Sequence, residues 1–314
     1  MSVKFHLPGF ATHYGLNLIF TSMKKNCPHY FRDGVEIASV FGAFPQSLWN
    51  GGRTNMGLCD MDFVSRALNA FNSQGIPLRF TFTNPLLEEK HLSDKFCNDI
   101  MKLADNGLNE VIINSPLLED YIRSNYPSYK LTSSTCKRIT DPEALREELE
   151  KDYNIVVIDY DLNNKFDILE ALPHKEKCEL LVNACCNPAC TMRKEHYRRL
   201  GRQQIRFCEH IAKNPDKPMK FSKDDVENTV DMNCGCENRS IFETRKLSTH
   251  ISPDDIWEKY VPMGFRHFKI EGRTTSRLNL IETYIYYMVK PEYQDEARFS
   301  FLFNLNKSGV INIG

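Results

Sequence analysis

A chain of 314 residues with 40 Lys and Arg against 41 Asp and Glu carries a net charge of −1. That balance excludes a polycation coating nucleic acid along its whole surface, and leaves any such contact to a local patch. With 41% apolar and 26% charged residues the composition is that of a globular protein, long enough for one large α/β domain or two ordinary ones.

Met1–His6 lacks the basic and apolar regions of a signal peptide, and no apolar run approaches the roughly 18 residues of a membrane helix. The expected location is the cytoplasm, a compartment compatible with many unpaired thiols. Short apolar, β-branched-rich runs then recur along the chain at Val3–His6, Val35–Phe41, Leu78–Phe82, Val111–Ile113, Lys130–Ser133, Ile155–Asp159, Glu179–Val182 and His267–Ile270. Helical patterns separate them. Asp60–Phe71 places Phe63, Val64, Ala67, Leu68 and Phe71 on one stripe, Ser93–Leu103 repeats the pattern before a Gly107 stop, and Asp141 and Ser252 each precede a proline as N-caps. Eight strand–helix units predict an α/β chain closed as a (β/α)8 TIM-type barrel, with an open doubly wound sheet as the alternative. No GxGxxG or GxxxxGK[ST] follows a strand, so dinucleotide and P-loop readings have no support.

The regular alternation breaks between the seventh and eighth strands, predicting a barrel over residues 1–290 with a cysteine-rich insertion at 186–249. A tail follows at 291–314, where Phe299, Phe301 and Phe303 alternate as an added strand or as a closure of one barrel end. Six of the 11 cysteines, Cys185, Cys186, Cys190, Cys208, Cys234 and Cys236, fall within 52 residues, with Cys178 just upstream. Grouped thiolates in a chain large enough to need no disulfide staples suggest an iron–sulfur or other metal site, with structural zinc and unligated thiols as alternatives. Cys186 and Cys190 can hold two corners across Asn-Pro-Ala. Cys208 lies one helix later, and Cys234 or Cys236 supplies the fourth ligand, Cys236 being favoured. Whether Cys185 or Cys186 ligates stays open.

Strand ends on the catalytic rim of a barrel bring forward Asn84, Asn114, Ser115, Ser134, Asp159, Asp161, Asn183 and Glu271. Singly these are ordinary cap and turn residues; as a set they form a candidate substrate pocket. The eighth strand runs into Phe268-Lys-Ile-Glu-Gly-Arg273, where Lys269 and Glu271, two apart, share a face and Arg273 can clamp an anion; a rim salt bridge is the plainer reading. Arg193–Arg206 carries six cations in 14 residues, which suits an RNA backbone, an anionic substrate met by Arg193, or a solvated helix face. Neither HExxH nor GxSxG is present, and Cys185 with His196 is the remaining thiol nucleophile.

The Lys269–Arg273 strand end after a Ser252-Pro-Asp-Asp helix start, the segment Glu110–Leu118 followed by Lys130-Leu-Thr-Ser-Ser134, and the cysteine region together resemble the collagenase-like peptidases of family U32. The resemblance spans most of the barrel. It implies a (β/α)8-type fold, a [4Fe–4S] cluster on four cysteines (Cys186, Cys190, Cys208 and Cys236 here), and oxygen-independent hydroxylation of an RNA base or a ubiquinone precursor, with prephenate as oxygen donor in some members. It also implies partnership in a heterodimer or homodimer. Cys186 and Cys190 are closer than in quinone-hydroxylating members, and the extra C-terminal domain of longer RNA-modifying members is not in this sequence, so the substrate does not carry over. The catalytic residues expected are Lys269, Glu271 and Arg273. A non-catalytic iron–sulfur or zinc subunit that binds RNA or a partner is the alternative from another class, and a peptidase the third.

Overall fold

A computed structural model describes residues 2–215, 217, 219, 235, 236 and 239–312. Eight parallel strands, β1 Val3–Pro8, β2 Val35–Gly42, β3 Leu78–Phe82, β4 Glu110–Ile113, β5 Lys130–Ser133, β6 Ile155–Ile158, β7 Cys178–Leu181 and β8 His267–Lys269, pair in sequence order. The last closes on the first, with Lys4 beside His267 and His6 beside Lys269. This closing pair excludes the open sheet and gives the predicted barrel. Each predicted run becomes a strand because its residues are buried on both faces, inward on the barrel axis and outward against helices.

Helix starts follow the caps in the sequence. Asp60, Asp141 and Ser252 accept from the backbone N–H of Phe63, Ala144 and Asp255, each worth about 1 kcal/mol. The tail differs from expectation. It forms a helix, Gln294–Lys307, packed on the helices Tyr14–Asn26 and Arg277–Met288. Ala297, Phe301 and Leu305, spaced by four, are buried, while Phe299 and Phe303 stay exposed, so the period of four overrides the alternation of phenylalanines. Among the described residues no helix is long and apolar enough to cross a membrane.

The connection from β7 to β8 is the longest in the barrel and carries the helix Arg193–Lys213, here called the mouth helix because it lies across the C-terminal ends of the strands. Two features seat it. Arg193, buried at its first turn, is ion-paired with Asp159 at the end of β6 and lies 3.4 Å from Asp161. Fifteen residues are spanned before Cys208, about 22 Å at 1.5 Å per residue. Midway, Gly201 packs so closely on the end of β3 that an added Cβ would stand 2.5 Å from Asn84 Oδ1.

Candidate active site at the barrel mouth

The barrel interior is charged where branched aliphatic residues usually dominate. His6 of β1, Arg79 of β3, Thr132 of β5 and Glu179 of β7 meet across the axis. Arg79 is ion-paired with Glu179, donates to Thr132 Oγ1 at 2.9 Å and approaches Glu110 at 3.3 Å; His6 lies 3.3 Å from Glu179. His6 also hydrogen-bonds Ser39 at 2.6 Å and His267 at 2.9 Å. Burial of Glu179 opposes ionisation, but Arg79, Lys269 and His6 outweigh it and hold its carboxyl well below the usual range. Desolvation lowers the pKa of His6, and takes that of His267 down to about 4.

Two residues further along β2, β4 and β8, Phe41, Ile112 and Lys269 form the next layer and the floor of a cavity of about 70 Å³. At ~15 Å³ per water this holds about five waters, or one compact organic molecule. Lys269 Nζ sits 3.1 Å from Glu179 Oε1 and 4.2 Å from the centre of the Phe41 ring, and burial pulls its pKa down to about 8. Tyr160, Cys186 and Tyr197 of the mouth helix complete the cavity opposite the cations.

Arg273 lines the cavity and is half-buried. Its Nη1 donates to Asn50 Oδ1 at 3.1 Å and Thr81 Oγ1 at 2.8 Å, and its Nη2 to the Gly51 carbonyl at 2.9 Å. Every one of these acceptors is neutral. No carboxylate of the described residues lies within ion-pair distance, and burial, then the nearby Arg53 charge, brings its pKa down to about 10. Glycine is required beside it: Gly52 has φ +72°, and a Cβ there would stand 3.1 Å from Nη2.

Glu271 is placed differently from the expectation. β8 ends at Lys269, so Glu271 sits in the following turn, where Asn183 accepts from its N–H at 2.7 Å and donates to its carbonyl at 3.1 Å. Its carboxylate is ion-paired with Arg53 and accepts from the Cys185 N–H at 2.8 Å and the Cys185 thiol at 3.4 Å. Burial would lower the pKa of Arg53, but the Glu271 carboxylate and then the Cys185 and Cys186 thiols drive it up. The Cys185 thiol, beside Cys186 and buried, is pushed up, whereas Cys186, with the Cys185 thiol and the Tyr160 hydroxyl beside it, comes down to about 7.

Of the other residues expected to bind substrate, Ser134 lines the cavity while capping a short turn at Cys136 N–H. Asn84 is buried and docks the mouth helix through bonds to the Leu48 and Gly201 carbonyls at 3.3 and 3.2 Å. Asn114 donates to the Thr83 carbonyl at 3.4 Å. Asp159 and Arg193 are paired with each other, with the guanidinium 4.2 Å over the Tyr160 ring. These four stand behind the cavity wall as structural partners. Arg53, Tyr160, Tyr197, Arg79 and Glu179 were not singled out in the sequence. Charged residues inside the otherwise apolar runs Leu78–Phe82 and Cys178–Leu181 were the available signal for the last two.

The four cysteines expected as cluster ligands have different surroundings. Cys186 is in the cavity wall, while Cys208, far along the mouth helix, donates to the Gln46 carbonyl at 3.3 Å, and burial raises its pKa to about 12. Cys190 is half-buried with its carbonyl 3.4 Å from Arg138 Nη2, and Cys236 is buried near Arg239, which donates to the Cys185 carbonyl at 2.7 Å. Among the described residues no three His, Cys, Asp or Glu side chains are grouped to hold a metal ion. Cys234 lies outside the described residues.

No protein-family model matches the chain. A solved structure described as that of a U32 peptidase overlaps 88% of this chain and 93% of its own, with a TM-score of 0.47 and 11% identity. The chain is 23% identical over 168 residues to an uncharacterised protease of Methanocaldococcus jannaschii, covering 52% of this chain and 50% of that one. The chain therefore spans about half the length of the curated relative it matches.

Proposed function

We propose that the chain is an enzyme related to the U32 peptidases, that its catalytic centre is the cavity at the barrel mouth, and that its substrate is a small organic anion seated on Arg273. The observation that carries this is a guanidinium lining the cavity with three hydrogen bonds to neutral oxygens and no carboxylate partner among the described residues. A cation left without a counter-ion in a poorly hydrated place is costly, and a ligand carboxylate is the partner its fork geometry suits. Phe41, Tyr160 and Tyr197 offer the rest of the molecule an apolar wall. Calorimetric titration with small aromatic and aliphatic carboxylates tests this reading. Saturable binding that weakens in Arg273→Met supports it; no binding by any carboxylate removes it.

A second reading is iron–sulfur-dependent, oxygen-independent hydroxylation of an RNA base or an aromatic quinone precursor, with prephenate as oxygen donor. The sequence resemblance favours it, as do Cys136 and Cys186 on the cavity wall. Its ligands would be Cys186, Cys190, Cys208 and Cys236, with Cys234 and Cys185 as the other thiols in the region. Iron and sulfide bound to anaerobically purified protein support it, and bound zinc or no bound metal removes it. The non-catalytic RNA-binding reading draws less support, because Arg193 is tied to Asp159 and Arg198 and Arg202 to Glu195. A peptidase reading rests on the printed name of the Methanocaldococcus relative; the Cys185 thiol faces Glu271 and Arg53.

A further inference from the structure

We propose that Lys269 forms an imine with its substrate, and that the substrate class is the 2-oxo acids, with the carboxylate on Arg273 and the keto carbon at Lys269 Nζ. This rests on Arg273 being the seat of an anion. Lys269 ends β8 on the cavity floor, and Arg273 follows four residues later on the cavity wall. Both side chains line the same cavity.

A plain counter-ion role for Lys269 leaves its position unexplained. Glu179 already has the Arg79 guanidinium against it and His6 at 3.3 Å, so its ionisation does not rest on Lys269 alone. Lys269 reaches the cavity with one acidic contact, at 3.1 Å, and an aromatic ring 4.2 Å away. An ammonium desolvated this way beside another cation is the setting in which lysine becomes a nucleophile. Burial moves its pKa to about 8, which leaves free amine present at neutral pH.

In a 2-oxo acid the keto carbon is bonded directly to the carboxylate carbon, so a single anion seat fixes the electrophile relative to the amine. The step balances without any added reactant. The Nζ–C bond forms as the C=O bond breaks, an ammonium and a ketone give an iminium and water, and two of the three N–H protons leave with the oxygen. Glu179 stays ionised and holds Nζ in place. The cavity, room for about five waters, admits a short or single-ring acid and excludes a polymer.

The test uses the full chain with pyruvate and, separately, phenylpyruvate. Borohydride is added, the intact mass is measured, and the modified peptide is mapped; calorimetry with the same acids runs in parallel. The expected result is one reduced adduct per chain, on Lys269, with its yield falling by about tenfold or more in Arg273→Met, as loss of a charge-assisted bidentate contact implies. Lys269→Met should give no adduct. Because the adduct is mapped in the unsubstituted chain, the outcome does not depend on that variant folding. Binding without any adduct, or adducts spread over surface lysines, overturns the imine and leaves the anion site standing. Neither binding nor adduct overturns both.

Discussion

Replacing Glu179 by Gln removes the one carboxylate that Arg79, Lys269 and His6 share while keeping its shape. The side chain is buried without exposure, so water cannot fill the role. Arg79 would retain Glu110 at 3.3 Å, whereas Lys269 would lose its only acidic contact among the described residues. Removing one member of a buried ion pair costs about 3–5 kcal/mol, a large part of the roughly 5–15 kcal/mol that stabilises a domain. The chain has one inexpensive escape: with Glu179 gone, the largest influence raising the Lys269 pKa disappears, and Lys269 deprotonates below its present value of about 8. The ordinary value for lysine is 10.5, so between the new folded value and 10.5 the unfolded state binds more protons. The stability of Glu179→Gln must therefore rise with pH across that window, by up to about 1.4 kcal/mol per pH unit. Urea unfolding at pH 7 and pH 9 measures this, with the slope of the transition checking that compactness is unchanged. A loss under about 1 kcal/mol at pH 7, or an equal loss at both pH values, would refute the shared-carboxylate account.

Acid should destabilise the wild type through His267, whose folded pKa of about 4 lies below the ordinary value of 6.5. The stability is complete above pH 6.5 and falls as pH drops toward 4, by about 3 kcal/mol for this group; His267→Gln should flatten that part of a pH–stability curve. Gly201→Ala should loosen the mouth helix, because the new Cβ would stand 2.5 Å from Asn84 Oδ1. Overpacking of about 1–3 kcal/mol then exceeds the roughly 1 kcal/mol that alanine gains in helix propensity, and faster proteolysis between Arg193 and Lys213 reads it out. Asn183→Ala should lower any activity at the mouth more than stability, since both bonds it loses hold the Glu271 backbone at 2.7 and 3.1 Å; the kcat and urea midpoint separate the two.

The barrel was legible because strand and helix periods are local properties of the chain, and eight short apolar runs between amphipathic segments admit few closed arrangements. The position of Lys269 and Arg273 on the cavity wall follows from the sequence in the same way, since a cation in or just beyond an apolar run at a strand end points to the barrel mouth. The partners of Asn84 and Asp159 were not legible, because a polar residue at a strand end looks the same in sequence whether it meets a substrate or anchors a helix. Asn84 is taken up by Gly201 and Asp159 by Arg193, both of which arrive more than 30 residues later in the chain. Cys208 shows the same limit. Spacing gave it a place in a ligand set, but where a 21-residue helix points a residue four turns from its start depends on how its first turn is pinned, and Arg193 pins this one so that Cys208 faces Gln46.

The charges gathered at the mouth give the anion site a reason that no single contact supplies. Arg53 is ion-paired with Glu271, Arg79 with Glu179 and Glu110, Lys269 with Glu179, and Arg193 with Asp159 and Asp161, whereas Arg273 makes no ion pair among the described residues. Its surroundings are arranged to tolerate this: Asn50 accepts from Thr81 at 2.9 Å as well as from Arg273 at 3.1 Å, so both oxygens are oriented before any ligand arrives. Preorganised neutral acceptors fix the direction of a guanidinium while leaving its charge uncompensated. A carboxylate entering the cavity would pair with Arg273, and this complementarity extends over the whole interior of the barrel, from His6 to the mouth helix.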